Sequence, residues 1–228
     1  MKKLVFDLGG SSLKIGLFQG SELVHSESIE LSHTTPNFVK SEIVNQINKH
    51  KTIQESYQIS VPGQVVKNTI VEFPNLEGNW SGENFEDIGN FCLRNDADCA
   101  TEYLIKENKI TKGRWLSLVF GTGLGTTLVE NGIIIENLDL GLIEERGKKI
   151  ESRISSKKLI GKEEMTSNIL DILQYFTRLI APTGFVFSGG SVKKYNLESG
   201  DFKGFNVIVS KNSELAPLLG ARLIKCKK

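Results

Sequence analysis

The chain has 228 residues, enough to bury a sizeable core as one large domain or two small lobes. With 28 Lys and Arg against 27 Asp and Glu its net charge is +1, so no global field draws it to nucleic acid or to a membrane surface. No apolar run approaches the roughly 18 residues of a membrane span, and the opening MKKLVFDLGGSS is too short in its apolar part for a signal peptide, so a cytoplasmic protein is expected. Cys92, Cys99 and Cys226 form neither a CxxC pair nor a Cys/His cluster. No structural zinc is therefore expected, and an odd, sparse set fits a reducing compartment.

In chain order, KLVFDL and LKIGLF read as strands joined by a Gly/Ser turn, and ELVHSESIEL as a third strand after a turn at Gly20. Phe38, Val39, Ile43, Val44 and Ile47 have the spacing of one helix face. YQISVPG is a strand closed by Pro62 and Gly63, FPNLEGNWSGENFEDIGNF a loop followed by a short helix, and NDADCATEYLIKEN a loop running into a helix. From residue 114 the opening pattern returns as RWLSLVF, GTGLG, TTLVE, an Asn131–Gly132 turn and IIIEN. Gly20 and Gly132 lie 112 residues apart, which suggests two related lobes with a cleft between them. GKKIESRISSKKL and MTSNILDILQYFTRLIAP read as helices, GFVFSGGS as a buried strand ending in a glycine turn, FNVIVS as a strand and ELAPLLGARLI as a closing helix.

Gly121, Gly123 and Gly125 resemble a dinucleotide fingerprint, but the β-branched Thr126, Thr127 and Val129 that follow make a strand where that fingerprint needs a helix. No GK[ST] closes a Walker A loop either. Each glycine loop then reads as a plain hairpin turn or as a cradle whose backbone N–H groups receive an anion. Gly9, Gly10, Ser11, Ser12 and Lys14 form the first, Gly121 to Thr126 the second, and Ser188 to Ser191 a third; three in one chain favour the cradle. Ser11, Ser12, Thr122 and Thr126 would add donors and Lys14 a point charge, while Asp7 would hold a Mg²⁺ through waters. Asp96 reads as a general base for a hydroxyl nucleophile or, with Asn95, as a helix cap, and the spacing does not choose.

Taken together, DLGGSSLK, SVPGQV, FPNLEGNW, NDADCA, FGTGLGTTLVENG, FVFSGGSV and LLGARL resemble the ROK sugar kinases of the actin-like ATPase superfamily, over nearly the whole chain. Within that family the polyphosphate glucokinases are the most similar subgroup. The resemblance implies an α/β fold of two ribonuclease-H-like lobes. Residues 1–110 would carry the first phosphate loop, the sugar pocket and the catalytic Asp; residues 111–228 would carry the second phosphate loop and the adenosine loop, with the last helix packing back on the first lobe. It further implies Asp96 as base, Gly63, Asn75, Asn95, Asp139 and Glu151 as sugar residues, Gly189 and Gly190 beside the adenosine or its equivalent, and a homodimer.

One stretch departs from the pattern. Where family glucokinases have Glu-Leu-Gly-His, this chain has Asp139-Leu140-Gly141-Leu142, with a shorter acid and an alkyl group in place of an imidazole. Losing such a partner costs about 1–3 kcal/mol of recognition. The expectation is a kinase moving a phosphoryl group from ATP or polyphosphate to a hexose hydroxyl, the 6-hydroxyl by default, with Mg²⁺. The lysines of GKK at 147–149 and SSKKL at 155–159 read as a polyphosphate track or, more simply, as solvated charges. The alternative is a non-catalytic sugar- or nucleotide-binding relative with a degenerate pocket. A repressor is not expected, since no helix-turn-helix precedes the first strand, and NDADCA and VPG speak against a type III pantothenate kinase.

Overall fold

The computed structural model describes residues 2–51, 54–73, 75–145, 147–156 and 158–226. The chain divides into two compact units, Met1–Cys99 with Pro217–Lys228 and Ala100–Ala216.

In the first unit β1 (Lys2–Leu8), β2 (Ser12–Gln19) and β3 (Glu22–Glu30) form an antiparallel meander. After α1 (Pro36–His50), β4 (Tyr57–Val61) pairs parallel with β1; a hairpin of β5 (Gln64–Val66) and β6 (Thr69–Glu72) follows; β7 (Phe91–Asn95) then pairs parallel with β4. The order is β3-β2-β1-β4-β7. Residues Leu4 to Leu8 are buried almost throughout, as a central strand covered on both faces requires. Phe6, Leu13, Ile15, Val39, Ile43, Ile59 and Phe85 belong to one core, each fully buried apolar side chain adding about 1.5–3 kcal/mol. Residues 75–90 are turns, bends and irregular chain, and the short helix expected there is absent among the described residues. Gly78, Gly82 and Gly89 turn the chain, while Trp80 and Phe85 anchor it in the core and Trp80 Nε1 donates to Thr34 O and Glu77 O, each at 3.1 Å.

Next come α2 (Asp96–Glu107) and the second unit's own meander, β8 (Arg114–Phe120), β9 (Leu124–Glu130) and β10 (Ile133–Ile135). The small hairpin β11 (Glu144–Glu145) and β12 (Lys148–Lys149), α3 (Lys162–Ile180), β13 (Gly184–Ser188), α4 (Gly190–Lys194), β14 (Val207–Val209) and α5 (Ala216–Ala221) complete the chain. Strands β13 and β14 run parallel to β8, giving the order β10-β9-β8-β13-β14. This is the first unit's arrangement again, so the repeat visible in sequence is a repeat of topology, and the α/β, ribonuclease-H-like fold is as expected. On α3, Met165, Ile169, Ile172, Leu173 and Phe176 face the core at helical spacing. Among the described residues, the helix expected across GKKIESRISSKKL is not formed. Glu144 and Glu145 pair across strands with Lys149 and Lys148, and a 3-10 turn spans Ile150–Arg153. Opposite charges facing each other favour that hairpin over a helix.

Cys92 on β7 and Cys226 form a disulfide across a separation of 134 residues, their Cα atoms 5.4 Å apart, a pairing that nothing in the cysteine spacing suggests. Cys99 is free and buried, and burial pushes its thiol well up. Replacing Cys226 by Ser is expected to lower stability by about 2–4 kcal/mol, since the bond restrains the unfolded chain. Denaturant midpoints with and without reductant measure this. Three free thiols in unreduced protein, with equal midpoints, would count against the bond.

Candidate functional site

The first unit gathers its polar groups at the carboxyl ends of β1, β4 and β7, where open α/β sheets bind ligands. Asp7 is the one ionisable side chain in the buried half of β1, at 4% exposure. Register places Lys14 beside it on β2 and Ser60 beside it on β4. Lys14 Nζ donates to Asp7 Oδ2 at 3.1 Å and Ser60 Oγ donates to Asp7 Oδ1 at 2.9 Å. Both carboxylate oxygens are thus oriented by donors, as a buried charge requires. Ser60 is not among the residues singled out from sequence. Its signal was a single Ser in the apolar strand before Pro62, but its partner lies 53 residues away. In the turn, Gly9 N donates to Ser12 O at 2.8 Å and Leu31 N to Ser11 O at 2.9 Å, leaving Gly10 and Ser11 exposed.

Asn95 ends β7 and Asp96 opens α2, with no intervening loop. Asn95 Oδ1 accepts from Asp98 N at 3.1 Å, so Asn95 is the cap of α2, while its Nδ2 donates to Gly63 O at 2.9 Å. That leaves Asp96 as the first helical residue, partly buried, its Oδ1 accepting from Ala97 N at 2.8 Å. Gly63 has φ +146, and a Cβ there would lie 2.7 Å from Phe73 Cδ1, so only glycine lets the chain leave β4 this way. Gly63, Asn95 and Asp96 are brought together. Asn75 is exposed, in the turn after Phe73.

In the second unit Gly121, Thr122 and Gly123 form the turn between β8 and β9, with Gly121 N donating to Gly123 O at 3.0 Å. Residues 151–156 hold that turn. Ser156 N donates to Gly121 O at 3.0 Å, and Ser155 Oγ donates to Thr122 O at 2.6 Å. Leu124 N donates to Glu151 Oε2 at 3.4 Å. A Cβ on Gly123 would overlap the Glu151 carboxylate, so this glycine serves a side chain of its own unit. Gly125 and Thr126 lie within β9. The Thr126 hydroxyl donates to Leu138 O at 2.5 Å and accepts from Leu140 N at 2.8 Å, which brings the partly buried Asp139 against the same strand.

Gly189 has φ +99 and packs against the backbone of Phe120, while space around Gly190 is open. Register sets Ser188 beside Val119 as it sets Ser60 beside Asp7, so the second sheet repeats the serine without the acid. Accordingly the buried hydroxyls of Ser188 and Ser191 have no hydrogen-bond partner. Lys148 and Lys149 face glutamates across their hairpin, Lys158 is exposed, and Lys157 lies outside the described residues.

Among the described residues no three His, Cys, Asp or Glu side chains gather as a metal cage. A single oriented carboxylate such as Asp7 fits a Mg²⁺ that keeps most of its waters. No described helix is long and apolar enough to cross a membrane.

No family model matches the chain. It is 27% identical over 206 residues to the polyphosphate glucokinase of Mycobacterium leprae, covering 82% of this chain and 63% of that protein; this chain thus spans less than two thirds of that relative's length. A polyphosphate/ATP-glucomannokinase structure from Arthrobacter sp. strain KM superposes with a TM-score of 0.87 at 18% identity, over 97% of both chains. A ROK family glucokinase from Streptomyces griseus, in complex with glucose and AMPPNP, superposes with a TM-score of 0.79 at 14% identity, covering 97% of this chain and 98% of that one.

Proposed function

From the premise that this chain is a ROK-fold relative of the polyphosphate glucokinases, we propose that it is a carbohydrate kinase, transferring a phosphoryl group from ATP or polyphosphate to a sugar hydroxyl. The observation that carries this reading is the placement of Asp7, Gly63, Asn95 and Asp96 together at the carboxyl ends of three parallel strands, with glycine turns at the ends of β8 and β13.

In this reading Asp96 takes the proton from the acceptor hydroxyl as the phosphoryl group arrives. Asn95 fixes where Asp96 stands, because it caps α2 and ties Gly63 to the helix start. Asp7, oriented by Lys14 and Ser60, would hold a Mg²⁺ through water, and that cation supplies charge neutralisation to the donor phosphates. Backbone N–H groups of Gly10, Ser11, Thr122 and Gly190 are the candidate donors to the phosphate chain. Gly63, Asn75, Asn95, Asp139 and Glu151 recognise the sugar, the 6-hydroxyl being the acceptor. Leu142, partly buried and wholly alkyl, gives that sugar one polar contact fewer than an imidazole would.

The test is a panel of glucose, mannose, N-acetylglucosamine, N-acetylmannosamine, fructose and allose, each with ATP and with polyphosphate in the presence of Mg²⁺. Turnover of one pair assigns acceptor and donor together. Ligand-induced thermal stabilisation with no turnover would make the chain a binding protein instead. A homodimer and a cytoplasmic location belong to the same reading. Sizing in solution tests the first. The Cys92–Cys226 bond stands against a reducing compartment, and counting thiols in protein taken directly from its source cells tests the second.

A further inference from the structure

Resting on the kinase reading above, we propose that Thr126 is a positioning residue for Asp139, setting the acceptor side of the site rather than touching the donor phosphates. Thr126 is the third residue of β9 and only 2% exposed. Its hydroxyl has one proton, and that proton goes to Leu138 O at 2.5 Å. A phosphate oxygen needs a donor, and Thr126 has none left to offer. The lone pair opposite receives Leu140 N at 2.8 Å. One side chain therefore holds the two peptide groups that flank Asp139.

A second clamp acts two residues earlier on the same strand. Leu124 and Thr126 point to one face of β9, and Gly141 lies so close to Leu124 that a Cβ would overlap the Leu124 carbonyl. Between the clamps the backbone turns as a 3-10 helix, Leu142 N donating to Asp139 O at 3.3 Å and Ile143 N to Leu140 O at 3.2 Å. Asp139 is thus fixed at its backbone on both sides. The turn that opens β9 is held separately by Glu151, Ser155 and Ser156. Strand β9 links the candidate donor turn to both candidate sugar acids, and Thr126 serves the second of these tasks.

The experiment uses Thr126→Val, which keeps the shape and removes the hydroxyl, and Thr126→Ser, which keeps the hydroxyl. KM for sugar and for donor is measured for each, beside melting temperature. Thr126→Val is expected to raise the sugar KM about tenfold and to leave the donor KM within about twofold, with Thr126→Ser close to the parent. A rise in donor KM with the sugar KM unchanged would make Thr126 a phosphate ligand and overturn the inference; so would no change in either constant. Should Thr126→Val fail to fold, Thr126→Cys carries the same split, and without turnover the split is read from dissociation constants. Asp139→Asn separates the levels. If it raises the sugar KM while Thr126→Val does not, only the positioning role falls. If it leaves the sugar KM unchanged, Asp139 is no sugar ligand and both readings of it fall.

Discussion

Asp96→Asn is expected to lower phosphoryl transfer by about 10²- to 10⁴-fold while leaving the fold and sugar binding in place. The amide has the carboxylate's shape, and its oxygen still accepts from Ala97 N, so the first turn of α2 keeps that contact. The helix cap is a different residue, Asn95, and is untouched. What the variant loses is the ability to take a proton from the acceptor. Turnover measured beside melting temperature and sugar affinity checks all three parts. A variant that turns over at the parent rate would place the base elsewhere; one that melts early would return Asp96 to a structural role.

The second large effect concerns two neighbouring glycines. Gly189→Ala is expected to destabilise the protein by about 3 kcal/mol, whereas Gly190→Ala is expected to leave stability within about 0.5 kcal/mol. At Gly189 φ is +99, and an added Cβ would lie 2.7 Å from Phe120 N and closer still to its carbonyl oxygen. Phe120 ends β8 immediately before Gly121, so the strain falls on the root of the candidate donor turn. At Gly190 an added Cβ meets nothing within 4 Å. Thermal melts should separate the pair by about 6–12 °C. Equal melting would mean that Gly189 is not packed as described. If Gly190→Ala changes the donor KM alone, Gly190 earns its place among the phosphate contacts.

These contrasts show which readings a sequence supports. Both meanders were legible from apolar runs broken by glycine, because strand pleat and turn geometry are local properties. Helix α3 was legible from Ile169, Leu170, Ile172, Leu173, Phe176, Leu179 and Ile180, because 3.6-residue periodicity is local too, although Leu179 is exposed in the structure and the buried face begins at Met165. The helices expected within FPNLEGNWSGENFEDIGNF, residues 73–91, and across GKKIESRISSKKL, residues 147–159, are not formed among the described residues. In the first, burial of Trp80 and Phe85 outweighs local propensity; in the second, the Glu–Lys pairs across the hairpin do. Asp96 read equally as base and as helix cap, with Asn95 as the other candidate cap, since both residue types suit a helix start; only the tertiary structure divides the cap from its neighbour.

By itself, then, the sequence determined the α/β class, the doubled strand pattern and the positions of the glycine turns. Alternation along a strand and the steric freedom of glycine require no knowledge of distant residues. Tertiary structure alone decided that Ser60 holds Asp7, that Thr126 holds the backbone around Asp139, and that Cys92 meets Cys226. Each joins groups from separate segments of the chain. Alternation tells which face a side chain takes, but not which residue of a neighbouring segment stands opposite. That choice is made by register and packing across the whole unit, and it separates a hydroxyl able to give a proton to a phosphate from one that has already given it to a carbonyl.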